Sequence, residues 1–441
     1  MSAYWCERAW LGGARAEEGV LVEIEGERIG NVEAGVGTAP EGAEVLTGLT
    51  IPGLANAHSH AFQRALRGRT QDGRGDFWTW REQMYAAASA LDPDSYLALA
   101  RATFAEMAMA GITLVGEFHY VHHGPDGIPY EDPNAIGEAV IEAAGQAGVR
   151  LTLLDTCYLH GGIGVEPDEV QRRFSDGSAA AWVERVDMLG DGPEVRIGAA
   201  IHSVRAVDPA AAALVAVWAQ ERGAPLHAHV SEQPAENEAC FAAHGCTPTA
   251  LLDQVGALSE RFTAVHATHL AEDDFALLGE GAVCLCPTTE RDLADGIGPA
   301  RRLAEAGTGL CTGSDSNAVV DPFEEARAIE LDERLATGER GRHTAAELLE
   351  AATGGGYSAL GWGEGGRIEP GGLADLVTIS FESVRLAGAD PARAVESVVF
   401  SAAPGDVRDV IVGGEPVVRE GRHLSIEVER ELQNAIAAVA G

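Results

Sequence analysis

Between residues 51 and 320 the chain alternates eight short apolar, β-branched-rich runs with seven longer segments, and this count constrains the fold more than any other feature. The runs lie near residues 50–58, 112–119, 150–158, 196–203, 225–231, 262–268, 282–288 and 309–315. The separators include Asp94 to Ala110, Pro133 to Gly148, Pro209 to Arg222 and Pro299 to Gly307. They are rich in Ala, Leu and Glu, and several carry Pro or Asp near the start and Gly at the end, as helix boundaries prefer. Strand and helix in alternation predict a parallel sheet, and eight units predict an α/β chain of the (β/α)8, or TIM, barrel type. A doubly wound sheet would call for a Gly-x-Gly-x-x-Gly turn after the first strand, and none is there.

The ends of these runs carry the chemistry. In order they present His58 and His60, then Glu117, His119 and Tyr120, Asp155, His202 and Arg205, His229 and Glu232, His266, Thr288, Thr289 and Glu290, and finally Asp315. Barrel active sites are assembled at the carboxyl ends of strands, so this placement predicts one polar site around the ring. His58-Ser59-His60 is the sharpest motif. Residues i and i+2 of a strand point the same way, which turns two imidazoles toward one ion. Taken alone, the motif also suits a solvated loop. A satisfied core histidine is the bland reading of His229, and a turn residue beside Gly313 and Ser314 that of Asp315.

Composition removes several function classes. A chain of 441 residues with 46% hydrophobic content buries a large core, and it contains no apolar run long enough to span a membrane. The first eight residues lack the basic start and apolar stretch of a signal peptide, which predicts a cytoplasmic product. A formal charge of −37 opposes binding to a phosphate backbone, so no nucleic-acid partner is expected. Seven scattered cysteines without Cys-x-x-Cys fit reduced thiols rather than a disulfide framework or zinc ribbon. The chain has no lysine, so a Schiff base and a Walker-type phosphate loop are both ruled out.

The His-x-His, His, His, Asp order at strand ends resembles the amidohydrolase superfamily, whose distorted barrel holds one or two divalent ions. By that resemblance His58, His60, His229 and Asp315 are the metal ligands. Many binuclear members bridge their ions with a carboxylated lysine, which this chain cannot supply, so one ion per subunit is expected: zinc, with iron accepted by the same ligand set. The flanks alternate polar and apolar residues, as in Gly19-Val20-Leu21-Val22-Glu23-Ile24 and Val407-Arg408-Asp409-Val410-Ile411-Val412. They match the superfamily's small β-sandwich built from both termini. The expected domains are residues 1–50 and 361–441 for the two halves of that sandwich, with the barrel, 51–360, inserted between them.

Glu232 lies three residues past His229 and His266 ends the next strand, which sets an acid and a base beside a metal-activated water, as hydrolysis of a C=N bond requires. The expected catalytic residues are therefore Glu232, which protonates the departing nitrogen, and His266 with Asp315, which take the water proton. His269 competes with His266, which is preferred for its place inside the strand and for its family spacing from His229. Four further segments tighten the resemblance. Asn56 to Ala65, Glu117 to His123, His202-Ser203-Val204-Arg205 and Cys286-Pro287-Thr288-Thr289-Glu290 are similar to the formimidoylglutamate deiminase family. These enzymes of histidine degradation convert N-formimidoyl-L-glutamate and water into N-formyl-L-glutamate and ammonia. The resemblance implies that Gln63, Arg81, Tyr120, His202 and Arg205 bind this small dicarboxylate amidine, and that the protein is a homodimer. Arginine grips carboxylates bidentately, which suits Arg81 and Arg205, although a solvated helix arginine is the plainer reading of Arg81. Other mononuclear amidohydrolases, acting on guanine, cytosine, S-adenosylhomocysteine or triazines, would share the ligands, Glu232 and His266. One departure from the family pattern is the charged pair within Thr289-Glu290-Arg291-Asp292-Leu293, where smaller residues are expected before the following loop.

Overall fold

The computed structural model describes residues 2–71 and 77–439, and of residues 77–79 only the backbone. Eight strands form one parallel sheet in sequential order: β1 (Leu54–Ser59), β2 (Ile112–His119), β3 (Arg150–Cys157), β4 (Val195–Ile201), β5 (Leu226–Val230), β6 (Phe262–His266), β7 (Ala282–Leu285) and β8 (Gly309–Thr312). Each coincides with one of the eight apolar runs. Strands β1, β2, β3, β5 and β6 are buried along their whole length, as strands covered by helices on one face and a packed interior on the other must be.

The sheet closes just beyond the last strand. Asp315 N donates to His58 O at 2.9 Å and His60 N donates to Asp315 O at 3.0 Å, so the first strand pairs with the residues that follow β8. Gly313 permits this approach, since a Cβ there would stand 2.8 Å from both Cβ and O of His58.

Helix boundaries follow the sequence signals. The helix Pro209–Arg222 begins under Asp208, whose carboxylate accepts from Ala210 N and Ala211 N, and it ends at Gly223 with a left-handed φ of 63°. The helices Pro93–Met109, Ala135–Ala147 and Ala300–Ala306 fill the other three separators.

A second, mixed sheet takes strands from both ends of the chain, running from Ser2–Ala9 to Glu44–Pro52 and from Leu376–Ile379 to Arg422–His423. It encloses its own apolar cluster, which includes Tyr4, Cys6, Val20, Val22, Ile24 and Leu46. The chain crosses from this sheet into β1 at Gly53, where Thr113 and Tyr357 leave no room for a Cβ. A buried ion pair ties the two sheets: Arg150 Nε on β3 lies 2.9 Å from Asp375 Oδ2, and Asp375 also accepts from Tyr357 OH and Gly413 N at 2.7 Å.

Candidate active site

Four residues from three parts of the ring converge at its carboxyl end. His58 comes from β1, His60 follows it, His229 lies in β5, and Asp315 lies past β8. All are buried, with ligand atoms within 4.8 Å of one another. His58 Nε2 stands 3.2 Å from His229 Nε2 and 3.4 Å from Asp315 Oδ1, and His60 Nε2 is also 3.4 Å from Asp315 Oδ1. Donors ~2.1 Å from a tetrahedral ion lie roughly 3.4 Å apart, so these separations fit one ion.

The outer nitrogens support the same fit. His60 Nδ1 pairs with Phe118 O at 2.9 Å and His229 Nδ1 with His202 O at 2.9 Å, which leaves both Nε2 lone pairs facing inward. Burial, and then the crowding of other imidazoles, holds His58 and His229 well below the ordinary histidine range, so both stay neutral donors. Phe118 packs its ring against His58, His60 and His229, with centroids 4.5–5.5 Å away, and keeps water from that side.

Beside this cluster stands His266. Its Nε2 is 3.8 Å from Asp315 Oδ2 and 3.9 Å from Glu232 Oε1, and its Nδ1 is 3.3 Å from Glu290 Oε1. Burial alone would lower the pKa of this imidazole, but Glu232, Glu290 and Asp315 outweigh it and raise the ring to about 10. His269, the competing histidine, turns away and pairs through Nε2 with Asp295 O at 2.7 Å. Glu290, expected among the strand-end residues, anchors His266 and accepts from Cys286 N at 2.9 Å. Asp292 instead accepts from Gln71 Nε2 at 2.8 Å at the exposed rim.

The backbone is locally strained at this end. Of the eight non-glycine residues with positive φ among the described residues, five are Ser231, His266, Ala267, Asp315 and Asn317, all at or just past the ends of β5, β6 and β8. Asn317 fastens the seam, donating to His60 O at 3.0 Å and accepting from Ser314 Oγ at 2.6 Å.

A cavity of about 290 Å3 opens above the cluster. Its wall contains every residue expected to meet substrate: Gln63, Arg81, Tyr120, His202 and Arg205, together with Glu232, His266 and Asp315. Gln63 Nε2 donates to Tyr120 OH at 3.0 Å. Arg81 Nε donates to Tyr85 OH at 2.6 Å, which places it on the cavity wall as well as on its helix. Arg205 lies between two acids, with Nη2 3.5 Å from Glu232 Oε2 and Nε 3.3 Å from Glu236 Oε2. Sequence reasoning passed over Glu236, whose only signal was its spacing of four from Glu232 across the start of a helix. It also passed over Tyr158, which packs its ring 4.5 Å from that of His202.

Comparison with known proteins agrees with this geometry. The chain is 38% identical to formimidoylglutamate deiminase of Pseudomonas aeruginosa over 97% of each protein. The crystal structure of an amidohydrolase from Brucella melitensis superposes over the whole of both chains with a TM-score of 0.92 at 33% identity. That of an adenosine deaminase from Xanthomonas campestris with bound zinc does so with a TM-score of 0.83 at 25% identity, covering 99% of this chain and 97% of that one. The amidohydrolase family model matches residues 49–417, from the strand that precedes the barrel to a late strand of the same second sheet. The chain therefore belongs to the amidohydrolase family and is a hydrolase of carbon–nitrogen bonds.

Proposed function

We propose that this hydrolase converts N-formimidoyl-L-glutamate and water into N-formyl-L-glutamate and ammonia, a step of histidine degradation. The observation that carries the reading is the meeting, in one cavity, of an acid–base cluster with two arginines, Arg81 and Arg205, and the polar pair Gln63 and Tyr120. The substrate carries two carboxylates and one electrophilic amidine carbon, and this wall offers groups for each. The similarity to the Pseudomonas enzyme supports the same assignment.

His58, His60, His229 and Asp315 would hold one divalent ion. Zinc suits three imidazoles and a carboxylate, and a zinc-bound relative supports it; iron is accepted by the same donors. When bound, the ion lowers the pKa of a water molecule toward ~7.

The chain's own residues handle the protons. The free oxygen of Asp315 takes the proton of the attacking water as that water's oxygen joins the formimidoyl carbon, and His266, whose Nε2 faces the same point, steadies the charge. Glu232 carries a proton to the imino nitrogen as the C=N bond becomes single. The proton taken from water then passes to this nitrogen as the carbon–nitrogen bond breaks, so that ammonia leaves, and the remaining hydroxyl proton returns to Glu232 as the formyl C=O forms. Glu290 fixes the His266 ring so that Nε2 faces this exchange. Arg205 and Arg81 hold the carboxylates.

Ammonia release from N-formimidoyl-L-glutamate by zinc-loaded protein tests the reading, with guanine, cytosine and S-adenosylhomocysteine run alongside. Turnover of the first substrate alone supports it. Turnover of a nucleobase or nucleoside in its place would keep the acid–base chemistry and remove the carboxylate clamp.

A further inference from the structure

Glu236 lies in the first turn of the helix Pro234–His244, only 1% exposed. Its Oε1 accepts from Ser231 N at 3.2 Å, which ties it to the end of β5. Its Oε2 has no hydrogen-bond partner and faces Arg205 Nε at 3.3 Å, while Arg205 Nη2 reaches toward Glu232. A guanidinium binds carboxylates along its Nε/Nη2 edge or through its Nη1/Nη2 end. The first edge is turned to the two acids here, so the end of the fork is the part available to a ligand in the cavity. A buried carboxylate without a second hydrogen bond is costly unless a cation answers it, and Arg205 is the cation placed to do so.

We propose that Glu236 is the positioning residue for substrate recognition: by engaging the Nε side of Arg205 it aims the Nη end of the guanidinium at a carboxylate of the substrate. The inference rests on the reading of Arg205 as a carboxylate receptor. It makes selection for acidic over uncharged amidines depend on a residue that touches no substrate atom.

The test uses full-length zinc-loaded enzyme. Glu236→Gln keeps the acceptor for Ser231 N and places an amide donor against Arg205 Nε. KM for N-formimidoyl-L-glutamate should rise about 10- to 100-fold while kcat changes less than about threefold, the split expected when a charge-assisted contact is lost from binding alone. The dissociation constant of N-formyl-L-glutamate, read by calorimetry without turnover, should rise in parallel. In an Arg205→Met background the same substitution should add nothing, because Glu236 acts only through that guanidinium.

An unchanged KM, a fall in kcat alone, or a full Glu236→Gln penalty in the absence of Arg205 would overturn the assignment. Should Glu236→Gln fail to fold, Glu236→Asp withdraws the carboxylate by one methylene and is expected to raise KM in the same direction, with an unchanged KM again overturning it. Wild-type protein that turns over no formimidoylglutamate would refute the function above. Wild-type turnover with normal KM in the Glu236 variants would refute the positioning role alone.

Discussion

Two clusters of buried polar side chains occupy the same end of the barrel and resolve their charges in different ways. Past β2 and β3, Asp155 and Asp176 share Arg185, which lies 2.8–3.0 Å from both. Trp182 Nε1 donates to Asp155 at 2.8 Å and His123 pairs with Asp176 at 3.0 Å. Burial would raise the Asp155 carboxyl, yet Arg185 outweighs it and holds it below the usual carboxylate range. Across the ring, the ion-pair partners of Asp315 among the described residues are imidazoles, and burial keeps His58, His60 and His229 from being protonated. An acid with its own arginine is a structural element. An acid shared among neutral imidazoles has donor capacity left for a cation, which makes the second cluster a site and the first a strut.

Substitutions should separate the two clusters. The largest effect belongs to Asp315→Ala, which removes a ligand and a proton acceptor together; bound metal per chain and ammonia release should both fall to background with the fold retained. Glu232→Gln comes next, keeping the metal by elemental analysis while kcat falls roughly 100- to 10,000-fold. If Glu232→Gln kept full activity, the acid–base cluster would need redrawing. In the strut, Arg185→Met leaves two buried carboxylates unpaired and should cost about 3–5 kcal/mol in denaturant unfolding, with metal content unchanged in the folded fraction.

The smallest effect is a pH slope. Burial, then Arg185, lowers His122 to about 4, from an ordinary 6.5. The unfolded chain therefore binds more protons between those values, and stability falls as pH drops from about 6.5 to about 4, by up to about 3 kcal/mol from this group. His122→Gln should flatten that part of the unfolding free energy against pH.

Much of the site was readable in the sequence because barrel geometry converts spacing into direction. His58 and His60 share a face by period two, and alternate residues at a strand end face the common mouth while those between them face the helices, as Asp155 does. What remained hidden depends on contacts between distant loops. Nothing in the sequence marks the burial of His122 and His123 in the loop after β2, where His122 Nε2 lies on Thr156 O at 2.9 Å. Glu290 read as one more polar residue at a strand end, because nothing in the chain's order shows that β7 brings it beside His266. Glu236 drew no notice because its partner Arg205 lies thirty-one residues earlier.

The seam between β1 and the residues after β8 carries one more consequence. His58 and His60 sit on one side of it and Asp315 on the other, separated by more than 250 residues of chain. No fragment lacking either margin can present all four donors. Completion of the centre thus reports that the ring has shut, and an ion held there would be a clasp between the first and last turns of the barrel, one that a chelator would withdraw.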